Sequence, residues 1–189
     1  MDTAKIEEGV RLLLEGIGED PTREGLVDTP RRVAEMYEDI IATEPRELSS
    51  IVVAIGSDTH QEMVLVRDIT FHSLCEHHLA PFFGVAHVAY IPSKNGRITG
   101  LSKVVRLVRT AAARLQLQER LTSTIADTLV ESLEPEGVLV LIKAEHLCMS
   151  MRGVRAPGAR VITSAVRGIF RTSAATRAEV LALIEAPTA

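Results

Sequence analysis

At 189 residues, 46% of them hydrophobic and 24% charged, the chain has the size and composition of one soluble globular domain with room for an appended arm. A formal net charge of -4 and only 3% aromatics argue against a nucleic-acid partner and leave local basic residues as the means of holding a small anion. No apolar run reaches the roughly 18 residues of a membrane span, and the start is acidic and helical, so no membrane partner or signal peptide is expected and the cytoplasm is the expected location.

The chain opens with a helical period. Ile6, Val10, Leu13, Leu14 and Ile17 recur at helical spacing with Lys5, Glu7, Glu8 and Arg11 between them, and Gly16 and Gly18 supply the stop. Glu19 to Leu26 reads as a loop or short turn. Thr29 then caps and Pro30 begins a second helix with Val33, Met36, Tyr37, Ile40 and Ile41 on one side, ended by Pro45. Residues 1–48 thus read as an N-terminal helical arm whose apolar faces pack on each other, on the body or on another subunit.

Ile51 to Ile55 is apolar without a decisive period, so residues 49–58 stay open between helix and strand. Glu62 to His72 and Gly84 to Ile91 alternate and are rich in β-branched and aromatic residues, which predicts two strands; Pro92 closes the second and Asn95-Gly96 marks a turn. A helical pair follows. Ser102 is the expected N-cap; Val104, Val105, Leu107, Val108, Ala111, Ala112 and Leu115 form one stripe, and Leu121, Ile125, Leu129 and Leu133 the next. After the break at Pro135-Glu136-Gly137 come an apolar strand from Val138 to His146, a last strand from Arg160 to Phe170 and a short helix from Ala174 to Glu185. This order gives an α+β fold, one antiparallel four-stranded sheet with two long helices on one face. Its other face and edges would be uncovered, so a homo-oligomer is expected.

Two separated stretches carry the chemistry. Phe71 to Gly84 and Glu145 to Gly153 hold both cysteines and four of the six histidines. Thiols and imidazoles are ligands that zinc prefers, and a disulfide is disfavoured in a reducing cytoplasm. Cys75 and a histidine two or three residues on grip a metal from one turn, and Cys148 is the only other thiol. Three protein ligands leave a position for water, as in a catalytic site; a fourth ligand from His77 or His146 would make the site structural. Spacing leaves both His77 and His78 open as the ligand. His60, His72 and His87 carry no motif and read as surface or strand residues.

Taken together, these residues resemble the GTP cyclohydrolase I family over nearly the whole chain. Gly18 to Leu26 and Thr29 to Ala34 look like its N-terminal signature and Cys75-Glu76-His77-His78 like its metal motif. Gly100-Leu101-Ser102-Lys103, Gln116 to Thr122 and His146 to Val154 look like its helix-opening, inter-helix and closing motifs. The resemblance implies a tunnelling fold, or T-fold, over residues 49–189, in which subunits join sheets into a barrel and two pentameric rings stack into a homodecamer. It also implies hydrolysis of the imidazole ring of GTP at C8, loss of that carbon as formate, rearrangement of the ribose and closure to 7,8-dihydroneopterin triphosphate.

The residue roles follow from that resemblance. Zinc held by Cys75, His78 and Cys148 would lower the pKa of water from about 16 toward about 7. His146 suits the acid that protonates N7, because along an extended strand it points to the same side as Cys148; His77 would move the water's proton or help release formate. Glu119 fits the two adjacent N–H donors of guanine, with Gln118 on the remaining edge. Lys103 and Arg106, three apart near a helix start, bind the triphosphate with Arg152, and Ser102 contacts the ribose. Outside that context Lys103 and Arg106 would be a solvated helix face, Gln118 and Glu119 linker residues, and Ser102 a cap.

Overall fold

The computed structural model describes residues 1–41, 47–56, 60–94 and 96–187. Pro45 and Asn95, where a helix end and a turn are expected, lie outside the described residues. The chain falls into two compact units, residues 1–45 and 46–189. In the first, α1 (Thr3–Gly16) starts where the Asp2 carboxylate accepts from Lys5 N–H at 3.1 Å, and it stops before Gly18 at φ 87. α2 (Thr29–Ile40) is preceded by Asp28 as its cap, so Thr29 is already helical and Pro30 sits in the first turn. Leu14 and Ala34 are buried where the two helices pack together; Leu13, Ile17 and Met36, expected on the apolar faces, are exposed.

The second unit is built on a sheet. A 3-10 turn at Leu48–Ser50 and a short strand β1 (Ala54–Gly56) occupy the stretch that periodicity leaves open. β2 (Val64–Cys75), β3 (Pro81–Ile91), β4 (Arg97–Thr99), α3 (Leu101–Ala112), β5 (Leu115–Gln116), α4 (Gln118–Leu133) and β6 (Gly137–His146) follow. A helical turn α5 (Leu147–Ser150), β7 (Val161–Gly168), a turn α6 (Ile169–Thr172) and α7 (Ala174–Glu185) complete it. The sheet order is β5-β2-β3-β6-β7, antiparallel except for the two-residue β5, and β1 pairs with β4 separately. The expected four strands and two long helices are therefore present, with three short strands added. Gly100 rather than Ser102 caps α3, and Leu115 leaves the helical stripe for β5.

One face of the sheet (Phe71, Phe82, Val88, Tyr90, Val140 and Ile142) packs against Val104, Leu107 and Val108 of α3 and Leu121, Ile125, Leu129 and Leu133 of α4. The other face is not bare as expected. Ala89, Leu139 and Leu141 pack against Phe170 of α6 and Val180 and Ile184 of α7, so the C-terminal helices cover part of it. No strand pairs with the outer edge of β7 among the described residues. β3 and β6 approach closely at Gly84, where a Cβ would fall on Lys143 O and 2.7 Å from Ala144 Cα. That approach sets the register that places Phe82 opposite His146.

β2 carries a bulge, with Arg67 and Asp68 both opposite His87 and Asp68 at φ 59. Arg67 reaches Leu183 O at 2.7 Å and Ala186 O at 2.8 Å, tying the end of α7 to the bulge. His87 is 4% exposed, and its Nδ1 accepts from Asp68 N–H at 3.2 Å. Burial pushes its pKa down, only partly opposed by the Asp68 carboxylate. The unfolded chain therefore protonates this imidazole more readily than the folded one. The stability it contributes is complete above the ordinary histidine pKa of about 6.5 and is lost as the pH falls toward the lowered folded value. Urea midpoints at pH 7.5 and 5.5 should fall more for the wild type than for His87→Gln; equal falls would deny His87 a part in the acid sensitivity.

Candidate active site

Strand and helix ends converge at one end of the sheet. β2 delivers Cys75 as its last residue, and its tip pairs in parallel with β5, Leu74 with Leu115 and Cys75 with Gln116. The chain then folds back on itself. Cys75 O accepts from Leu79 N–H at 2.9 Å and from His78 N–H at 3.3 Å, and Cys75 N–H donates to Ala80 O at 2.9 Å, with Leu79 at φ 53 making the return. The metal stretch is thus a strand connection, but both strands run further into it than their alternation predicts. Glu76 N–H donates to Gln116 O at 3.1 Å, and Arg120 bonds the Glu76 carboxylate, Gln116 Oε1 at 3.0 Å and Leu115 O at 3.1 Å. The hairpin is thereby pinned to the start of α4.

The second stretch behaves differently from its expected extended course. β6 ends at His146, and the chain turns into α5, with Ser150 Oγ donating to His146 O at 3.1 Å. Strand alternation therefore does not relate His146 to Cys148; the helical turn does. The turn brings Cys148 to Cys75 and His78, and the ligand atoms of all three lie within 4.8 Å of one another. Burial, then the neighbouring Cys75, push the Cys148 thiol up. A divalent cation reverses that preference, because it takes thiol sulfurs as thiolates. Two sulfurs and an imidazole fit a soft or borderline divalent metal such as zinc.

These donors open on a cavity of about 280 Å³ that is also lined by His77, Gln116, Leu117, Gln118, Glu119, His146, Met149 and Val161. His77 and Glu119 are exposed on its rim. The His146 ring stacks on Phe82, centroids 4.5 Å apart and planes 7° from parallel, and its Nε2 lies 2.8 Å from Gln118 Oε1. Burial pushes the His146 pKa down, with the Glu119 carboxylate opposing in part. Gln118 is itself buried. Arg152 stands beside the donor set, its Nη1 donating to His78 Nε2 at 3.0 Å.

Ser102, Lys103 and Arg106 are not brought to this cavity. Lys103 and Arg106 share a helix face, as their spacing predicts, and line a separate cavity of about 350 Å³ with Ser50, Ile51 and Thr110. The direction of α3 explains the separation. Ser73 Oγ donates to Ala112 O at 2.7 Å, which fixes the C-terminal end of α3 beside the metal hairpin. Ser102 lies ten residues back, about 15 Å along the helix. Sequence reasoning also passed over Phe82, Arg120, Thr122 and Thr163. Phe82 and Arg120 adjoin recognised motifs, but their partners depend on strand register and on a contact across the fold.

Residues 6–185 match the family model described as GTP cyclohydrolase I. The chain is 59% identical over 183 residues to the GTP cyclohydrolase 1 of Geobacillus kaustophilus, covering 97% of each. It is 61% identical over 184 residues to that of Carboxydothermus hydrogenoformans (97% of this chain, 95% of the relative) and 58% over 177 residues to that of Bacillus subtilis (94% and 93%). Among solved structures it is similar to an archaeosine synthase QueF-Like in the apo form, at a TM-score of 0.48 and 19% identity over 58% of this chain and 97% of that one. It is similar also to E. coli dihydroneopterin aldolase in complex with neopterin, at a TM-score of 0.44 and 14% identity over 57% and 99%.

Proposed function

The chain belongs to the GTP cyclohydrolase I family, and from that membership we propose that it opens the imidazole ring of GTP with water, releases C8 as formate, and rearranges and recloses the remainder to 7,8-dihydroneopterin triphosphate. The observation that carries this reading is the cavity in which Cys75, His78 and Cys148 meet His146 and Glu119. Zinc held by the three donors supplies, when bound, a water acidic enough to serve as nucleophile at neutral pH. Glu119 accepts from guanine N1–H and the 2-amino group, which turns C8 and N7 toward the donor set. His146 gives a proton to N7 as water attacks C8, and its ring is held in plane for that by Phe82. His77 on the rim takes the proton of the attacking water and assists departure of formate.

The triphosphate falls to Arg152, Lys103 and Arg106, and the ribose to Ser102. Because the α3 residues lie at the far end of that helix from the metal hairpin, a site using both sets draws them from a second copy of the chain. Among the described residues no strand pairs with the outer edge of β7, which supports the homo-oligomer and the decamer of two pentameric rings in the family's tunnelling fold. No described helix is long and apolar enough to cross a membrane, and the reading places the enzyme with its nucleotide substrate in the cytoplasm.

The test is to incubate zinc-loaded protein with GTP, with and without a chelator, and assay formate and pterin absorbance. Both products, lost on chelation and restored by zinc, are expected; neither product from folded, zinc-bound protein would sink the reading. Lys103→Ala should raise KM for GTP by about 10- to 100-fold, the worth of one charge-assisted bond to phosphate, while leaving the inhibition constant of guanosine within about 2-fold. Equal effects on the two ligands would remove Lys103 from the phosphate site.

A further inference from the structure

The protons around His146 are fixed by carbonyl and amide oxygens, which can only accept. Gln118, the first residue of α4, is 1% exposed, and its Nε2 lies 3.2 Å from Ile142 O, 3.1 Å from Val161 O and 3.1 Å from Thr163 Oγ1. A carbonyl oxygen has no proton to give, so the amide nitrogen must face Ile142 and Val161, and Oε1 must face His146. An amide oxygen also only accepts. His146 Nε2, 2.8 Å away, therefore carries a proton, and in the neutral ring the lone pair is left on Nδ1.

The hydroxyls agree with this assignment. Thr122 O–H donates to Gln118 O at 2.6 Å, so the 2.6 Å contact between Thr122 and Thr163 takes its proton from Thr163. Thr163 Oγ1 is then free to accept from Gln118 Nε2, and each hydroxyl gives its one proton once. Reversing the amide would set its oxygen against two carbonyls, so the network has one consistent direction. Among the described residues His146 Nδ1 makes no hydrogen bond, and the Phe82 stack leaves the ring little freedom to rotate.

We infer that Gln118 is a positioning residue for His146: it holds the imidazole with its proton on Nε2 and thereby assigns Nδ1 as the nitrogen that exchanges a proton with the substrate. This rests on the acid role proposed for His146. In that step Nδ1 takes up a proton from solvent in the open cavity and passes it to N7, and the ring returns to the neutral form with Nε2–H on Gln118 throughout. The role differs from the guanine contact that the resemblance implies for Gln118. With its oxygen and both amide hydrogens engaged by protein, the side chain acts through His146, and guanine is left to Glu119.

Neutron diffraction from crystals of the zinc-loaded protein in D2O reads these protons directly. A deuteron on His146 Nε2 aimed at Gln118 Oε1, with both Gln118 amide deuterons turned toward Ile142, Val161 and Thr163, is the expected result. A bare Nε2 with the deuteron on Nδ1 would overturn the assignment, whatever the protein does with GTP. The second measurement is Gln118→Met, which keeps the length and removes the acceptor. Its kcat for formate should fall by about 100-fold with KM for GTP within about 2-fold and zinc content unchanged. A raised KM at unchanged kcat would put the amide on the substrate and sink the positioning role. Should the variant not fold, the wild-type deuterons still decide. Should the wild type release no formate, the reaction fails while the tautomer is judged separately.

Discussion

Cys148→Ser should lose zinc and formate production together while the fold survives. The thiol sits on the four-residue turn after β6, and Cys75 and His78 come from the hairpin between β2 and β3, so a metal held by the three would join two separate parts of the chain. A serine oxygen is nearly the same size but stays protonated at neutral pH and is a poor ligand for a borderline-soft cation. Zinc content after dialysis should fall from about one per chain to below about 0.1, as expected when three ligands become two. Formate release should drop at least about 1,000-fold, equivalent to about 4 kcal/mol of barrier. Because Cys148 is only partly buried, the urea midpoint of the zinc-free variant should match that of zinc-free wild type. If chelation or the substitution instead unfolds the protein, the site is structural and the open-position argument fails. Full zinc content with full turnover would remove Cys148 from the ligand set.

Much of this site is legible in the chain because its residues sit in short motifs. Cys75, His77 and His78 lie within four positions, and Gln118 and Glu119 open a helix whose Leu121, Ile125, Leu129 and Leu133 period is unambiguous. The succession of long strands along the chain is legible as well, helped by Pro92 after β3, Gly137 at the start of β6 and Gly168 at the end of β7. What periodicity does not carry is register and reach. Phe82 meets His146 because β3 and β6 pair with Gly84 opposite Ala144, and Thr163 meets Gln118 only after β7 has paired with β6. The cover that α6 and α7 give the second sheet face is not legible because α7 has no marked apolar stripe and residues 160–170 read as one strand through Phe170. The turn at α5 was missed because four residues are too few to show a period.

The distance between the metal hairpin and the start of α3 bears on how the catalyst is assembled. Lys103 and Arg106 line their own cavity, so on the proposed phosphate role burying the triphosphate against them would require another chain to bring its hairpin there. Cations supplied across an interface make nucleotide binding depend on assembly, while metal binding needs only one chain. Dilution that separates subunits would then abolish turnover before it releases zinc.

His146→Ala should separate ring opening from every binding step. The proposed donor set of Cys75, His78 and Cys148 does not include this imidazole, so zinc should stay at about one per chain. The guanine and triphosphate contacts are proposed for other side chains, so KM for GTP should move by no more than about 3-fold. Loss of the acid should cost about 100- to 10,000-fold in formate release. The change also strips a donor from Gln118 Oε1 and bares one face of Phe82, which destabilises the folded state by about 1–3 kcal/mol, so rates must be referred to folded protein. Added imidazole distinguishes the two losses. A ring entering the vacated space against Phe82 should restore part of the rate in a saturable way, whereas a variant that had merely lost its shape would not respond. Undiminished turnover by His146→Ala would transfer the acid role to another group, with His77 the next to substitute.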